Sequence, residues 1–152
     1  MEEKPASLLF VCGENALRSP MAEAMVKAWY GDAVYVDSVG MRAGELNQFA
    51  VVVMNEIGID ISKHGAKGLD GLRDTAYDLI IALSDEAYKE ALKICQASAV
   101  NVLRWPLLDP SRIEGNRETR LAAFRQVRDT LRCLIEEKLG PVDRQNGGRK
   151  EE

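Results

Sequence analysis

The sequence predicts an α/β domain whose parallel sheet is covered by helices on both faces. Two observations carry this. Short apolar runs alternate along the chain with segments whose apolar residues recur at helical spacing. Chemistry-bearing residues sit just beyond the runs: Cys12 after the first, Ser38 after the second, Ser84 after the third, and Asp109 beyond the fourth. Right-handed crossovers put the C-terminal ends of parallel strands on one edge, so these residues can meet although far apart in the chain.

Residues 8–11, Leu-Leu-Phe-Val, form the first strand, which stops at Cys12. Arg18 followed by Ser19-Pro20 signals a helix start, with Ser19 as the cap and Pro20 at the first helical position. Met21, Ala22, Met25, Val26, Trp29 and Tyr30 then keep helical spacing up to Gly31-Asp32. A second strand covers 33–36 and runs into Asp37-Ser38-Val39-Gly40, and residues 41–46 read as a loop. From Asn47 a second helix buries Phe49, Ala50, Val53, Met54 and Ile57, and Gly58 stops it. Residues 63–74 are a polar connector. Residues 77–83 give the strongest strand signal. Ser84 then caps a helix with Asp85 and Glu86 in its first turn and Ala87, Ala91, Leu92 and Cys95 on one face. A fourth strand spans 99–103, followed by a loop over 105–117 that carries Asp109-Pro110. Leu121, Phe124, Val127, Leu131, Leu134 and Ile135 line a long last helix that ends at Gly140-Pro141. The expected organisation is one domain over 1–140 and a polar, flexible tail over 141–152.

With 152 residues, 46% of them hydrophobic, the chain can build a core without disulfide or metal staples. A net charge of −4 leaves no broad basic surface for nucleic acid. Three cysteines without regular spacing make no disulfide framework, which points to a reducing cytoplasm. Met1-Glu2-Glu3-Lys4 is not the basic start of a secretory leader, and no run is long enough to cross a membrane. The sole histidine, His64, excludes a multi-histidine metal site, so neither metal nor cofactor is expected; in the connector it reads as a surface or capping residue. The oligomeric state is not legible.

The chemistry rests on the stretch from Cys12 to Ser19. A cysteine at a strand end and an arginine at a helix start bracket the loop Gly13, Glu14, Asn15, Ala16 and Leu17. Backbone N–H groups of such a loop and the positive end of the helix favour a bound anion, and the same field favours thiolate over thiol at Cys12. A cysteine ending a strand is usually a small buried hydrophobe. Arg at +6 with Ser or Thr at +7, however, arises by chance behind one of the cysteines in roughly 2% of chains this size. Cys95 has Asn101 at +6 and Cys133 has Leu139, so only Cys12 has this setting. With a phosphate monoester in the loop, the Cys12 thiolate attacks phosphorus, Arg18 holds two oxygens with its planar fork, and residues 13–19 bind the phosphoryl group without a metal. Asp109, whose loop Pro110 stiffens, is the candidate acid and then base, and Ser19 can hydrogen-bond the sulfur. Alone, Asp109-Pro110 reads as an ordinary turn; its place after the fourth strand favours the catalytic role.

Phe10-Val11-Cys12, Asn15, Arg18-Ser19-Pro20-Met21-Ala22-Glu23-Ala24 and Asp109-Pro110 resemble the low-molecular-weight protein tyrosine phosphatase superfamily, over about residues 8–139. Ser38-Val39-Gly40, Ala50-Val51, Met54, Glu56, Gly58-Ile59-Asp60-Ile61-Ser62 and Arg125-Gln126-Val127-Arg128-Asp129 resemble its arsenate reductase branch in particular. The resemblance implies a three-layer sandwich around a four-stranded parallel sheet and a phosphocysteine mechanism. It also implies the roles given above to Cys12, Arg18, Ser19 and Asp109, with Asn15 bracing the loop. Six residues in four places depart from the pattern. Glu14 stands where the family has glycine, and a carboxylate near a bound anion repels it. Ser111-Arg112 replace the aromatic residues that flank phosphotyrosine, which suits a more anionic substrate. Ser84 and Ala91 stand where thioredoxin-coupled arsenate reductases carry relay cysteines, with Cys95 four residues on and expected to pack. Lys67 stands near an acid of the branch's cation site, alongside Glu23 and Ser38, so no potassium is expected and Glu23 reads as a helix-surface charge. The function expected is a phosphomonoesterase acting on a phosphorylated small molecule or protein. The alternatives are an arsenate reductase using an external thiol and a non-catalytic phosphate-binding module.

Overall fold

The computed structural model describes residues 5–14, 17–42, 44–65, 67–68, 77–94, 100–105 and 107–141, without the side chains of Glu14, Asp32, Arg42 and Ile94. Strands β1 (Ser7–Glu14), β2 (Tyr35–Arg42), β3 (Leu79–Ala82) and β4 (Asn101–Arg104) alternate with helices α1 (Arg18–Tyr30), α2 (Gln48–Asn55), α3 (Asp85–Ile94) and α4 (Arg117–Leu139). The strands form one sheet in the order β2-β1-β3-β4, every neighbouring pair parallel. This is the expected three-layer α/β sandwich. Helices α1, α2 and α4 share one apolar core with Leu8, Phe10, Ile81 and Leu83, and Ala87 and Ala91 of α3 pack on Leu9, Val11, Ile80 and Ala82 behind the sheet. The alternation of side chains along β1 therefore sends Cys12 to the same face as Phe10, towards α1 and α4.

Of the boundaries that differ from the sequence reading, three bear on the site. Strand β1 does not stop at Cys12; its backbone pairs onward with β2 as far as Glu14 opposite Arg42. Arg42 likewise lies in β2 rather than in a loop, since that pairing supplies its backbone with partners. The α1 cap is Leu17, with no side-chain bond to it, so Ser19 lies inside the first turn. Its hydroxyl is engaged elsewhere, as described below. Asn47 and Asn116 do cap α2 and α4, accepting from the N–H groups of Phe49 and Thr119 at 2.8 Å each. Ser84 accepts from the Ala87 N–H at 3.1 Å and caps α3 as expected. On α3, Leu92 is exposed rather than facing the sheet, and Cys95 lies outside the described residues. Among the described residues no helix is long and apolar enough to cross a membrane.

Candidate functional site

Parallel pairing on both sides of β1 holds Cys12 at the C-terminal edge of the sheet, opposite Gly40 of β2, with its side chain fully buried. The first turn of α1 brings Ser19 over it. The Ser19 Oγ lies 3.0 Å from the Cys12 Sγ, and against a thiolate the hydroxyl is the donor. Taking Ser19 into the turn instead of the cap is what aims its hydroxyl at sulfur. Gly13 has room beside it: a Cβ there would come within 4.0 Å of Arg18 Nη2 and nothing nearer.

Arg18, one residue earlier, reaches across the strand ends. Its Nη1 donates to the carbonyl of Leu83, just past β3, at 3.3 Å and to that of Leu107, beyond β4, at 3.2 Å. The first carbonyl is fixed because the Leu83 N–H donates to Val11 O at 2.8 Å, which prolongs the sheet. Among the described residues, the buried Nε of Arg18 has no hydrogen-bond partner. Nη2 lies 4.0 Å from Oδ2 of Asp109. Sequence patterns gave no sign of the two carbonyl anchors, since backbone groups leave no signature.

Asp109 is held from both ends. Its Oδ1 accepts from the Ser111 N–H at 3.1 Å and from the Ser111 hydroxyl at 2.7 Å, which starts the 3-10 turn Pro110–Arg112. Its Oδ2 faces Arg18 and, at 3.6 Å, Nε of Arg112. Burial alone pushes this carboxyl up. The bonds from Ser111 and the charges of Arg18 and Arg112 outweigh burial and hold it below the ordinary carboxylate value, so it rests ionised. Turn and site are thus the same feature: the side chain that makes an Asx turn with Ser111 also faces Arg18. Ser111 is the member that sequence reasoning passed over, and the Asp-Pro-Ser turn pattern was its signal.

Of the predicted site residues, the structure brings together Cys12, Ser19, Arg18 and Asp109, with Gly13 and the buried Leu17 alongside. Asn15, Ala16 and the Glu14 side chain lie outside the described residues.

Glu23 is not a surface charge. It is 5% exposed, accepts from the Ser38 hydroxyl, and pairs with Lys27 at 2.6 Å. The sequence reading missed this because Glu23 and Lys27 pass for an ordinary helix-surface pair. Nor is His64 a surface residue: its side chain is 11% exposed and its Nδ1 lies 3.8 Å from Glu23 Oε1. Burial pushes the imidazole down against the pull of Glu23, towards the neutral form. The Lys67 ammonium binds Asp37. Among the described residues, Lys27 and Lys67 are thus the lysines paired with Glu23 and Asp37.

With this geometry in place the relatives can be weighed. The family model described as low molecular weight phosphotyrosine protein phosphatase matches residues 7–146. The chain belongs to that family. Within it, the similarity runs to the arsenate reductase branch. The chain is 37% identical over 126 residues to an arsenate reductase of Halalkalibacterium halodurans, covering 82% of this chain and 88% of that one. An arsenate reductase of Bacillus subtilis is 35% identical over 132 residues, covering 86% and 92%. Among solved structures, a YwlE arginine phosphatase variant with a phosphorylated active-site serine superposes with a TM-score of 0.71 at 25% identity, covering 86% of this chain and 91% of that one. The match confirms the expected fold and superfamily and makes the chain an enzyme of this family.

Two positions separate it from the relay pattern. Ser84 is spent on capping α3, and Ala91 is buried against the sheet, so neither place holds sulfur. Cys133 is exposed on α4.

Proposed function

We propose that this enzyme hydrolyses phosphate monoesters through a covalent phosphocysteine on Cys12. The observation that carries the reading is the carboxylate of Asp109 standing 4.0 Å from Arg18, the residue just before the serine that meets Cys12. A phosphoryl group drawn to Arg18 brings its own negative charge to Asp109, which favours protonation of that carboxyl. The Cys12 thiolate then forms the sulfur–phosphorus bond as the ester oxygen departs, and Asp109 gives that oxygen its proton. In the second step Asp109 takes a proton from water, the water oxygen bonds to phosphorus, and the sulfur–phosphorus bond breaks. The Ser19 hydroxyl, 3.0 Å from sulfur, stabilises the departing thiolate. The products are an alcohol and inorganic phosphate.

A second reading has a specific observation behind it: the curated relatives are named arsenate reductase, and their names back arsenate reduction better than hydrolysis. In that reading Cys12 binds arsenic with loss of water. An external thiol, such as glutathione, then attacks the Cys12 sulfur, arsenic takes the electron pair and leaves as arsenite, and a second thiol reduces the mixed disulfide. The external thiol replaces the sulfur missing at Ser84 and Ala91. A third reading, phosphate binding without turnover, turns on Glu14.

Three proteins decide among them: wild type, Cys12→Ser and Glu14→Gly. Hydrolysis of an aryl phosphate that vanadate inhibits and Cys12→Ser abolishes is expected; robust turnover by Cys12→Ser would sink the proposal. Arsenate-dependent oxidation of glutathione in the presence of glutaredoxin, without aryl phosphate hydrolysis, establishes the second reading. Phosphate binding with turnover only in Glu14→Gly establishes the third.

A further inference from the structure

Beside the site, three arginines follow Asp109 in quick succession. Arg112 lies at its edge with an 84% exposed side chain. Arg117 opens α4, Arg120 is three residues on along the same face, and both are exposed. The turn carrying Arg112 packs against α4, so the three belong to one continuous surface. What sets Arg117 and Arg120 apart is how they are held. Their guanidinium carbons stand 5.6 and 4.6 Å from the ring centre of Phe49 on α2. Among the described residues neither pairs with a carboxylate. Glu118, between them in sequence, turns away to Arg125 at 2.7 Å. Glu114 is exposed nearby. Two like charges are thus ordered against one aromatic ring without a carboxylate partner among the described residues.

We infer that Arg112, Arg117, Arg120 and Phe49 form a docking shelf for acidic residues flanking the phosphorylated residue of a polypeptide substrate, an inference that rests on the hydrolase reading. Charge complementarity selects the partner. The chain as a whole carries −4, which repels an acidic protein everywhere except where a local positive surface draws it in. Extent selects a polypeptide over a small anion. The shelf runs from the edge of Asp109 across the first turn of α4, and an extended segment advancing about 3.3 Å per residue reaches along it while its phosphoryl group stays at Cys12.

The test uses the Cys12→Ser protein and two labelled phosphotyrosine peptides that differ only in having Asp and Glu or Asn and Gln around the phosphorylated residue. Fluorescence anisotropy is expected to show the acidic peptide binding about tenfold tighter at low salt, the product of two or three exposed pairs. The preference is expected to fade as salt rises and to vanish with Arg117→Gln and Arg120→Gln together. Lysine at both positions should restore most of it. Equal affinities, a preference that survives both the glutamines and high salt, no binding of either peptide, or equally strong competition by a small bisphosphate would each overturn the shelf. The salt titration needs no arginine variant, so a folding defect in one does not blunt the result. Wild type assayed on an aryl phosphate keeps the two ideas apart: hydrolysis without peptide preference removes only the shelf, and peptide preference without hydrolysis removes only the hydrolase reading.

Discussion

Arg18 and Arg128 are equally buried, each 9% exposed, and their surroundings are opposite. Arg128 is satisfied on every side. Its guanidinium donates to Val53 O at 2.8 Å, to Glu56 at 2.9 Å and to Asp129 at 2.8 Å. Burial works against its charge, but those two carboxylates raise its pKa all the same. Arg125 reinforces Glu56 from outside, and that carboxyl is held below its ordinary value by the two arginines. Arg18 instead has, among the described residues, two backbone carbonyls, a carboxylate at the limit of an ion pair, and a buried Nε without a partner. A buried charge with unspent donors is costly unless something else completes its shell. The contrast distinguishes an arginine that joins α2 to α4 from one proposed to hold an anion.

Replacing each arginine by methionine, of similar length, is the strongest way to break that contrast. Arg18→Met should lower kcat/KM by about a thousandfold, through loss of the groups that hold the phosphoryl oxygens. It should leave the denaturant midpoint unchanged or raised, since it removes an under-satisfied charge. Asp109→Asn comes next, with turnover of an aryl phosphate slowed about a hundredfold or more while the fold is kept. Arg128→Met should reverse the pattern: about 2–3 kcal/mol lost in urea denaturation, with the kcat/KM of the folded protein retained. A stability loss at Arg18 as large as that at Arg128 would erase the distinction.

The smallest effect sharpens it through pH. The folded-state pKa of Asp109 lies below its unfolded value, so its contribution to stability is present above the ordinary carboxylate pKa and is lost as pH falls through the folded one. Proton donation needs the protonated form, so kcat/KM falls as pH rises through that same value. Ser111→Ala removes the hydroxyl bond, one of the two bonds from Ser111 that hold the carboxyl down. The falling limb of the pH–rate profile should therefore move to higher pH and part of the acid-sensitive stability should disappear, both measurable on one protein series.

Much of this was legible in the residues. Alternation of apolar runs with helical spacing gave the sheet and its helices; Cys12, Arg18 and Ser19 stood out by spacing, and Asp109 by its place after the fourth strand. What stayed hidden has two physical sources. Pairing partners extend strands beyond what local pattern shows, as at Glu14 and Arg42, and they decide whether a serine caps a helix or meets a sulfur. Burial of charge is non-local too. Glu23 and Lys27 are spaced like any exposed helix pair, and only Ser38 from β2 and His64 from the connector mark the carboxylate as internal.

The strand order β2-β1-β3-β4 has a consequence for how the enzyme comes into being. The proposed nucleophile, Cys12, lies on the first strand, yet that strand is central, and one of its neighbours, β3, begins at Leu79. The carboxylate proposed to serve it follows only at Asp109, and α4, which closes the core over it, begins at Arg117. A chain emerging from the ribosome therefore carries its cysteine long before it can use it. Competence waits until Asp109 and α4 have followed.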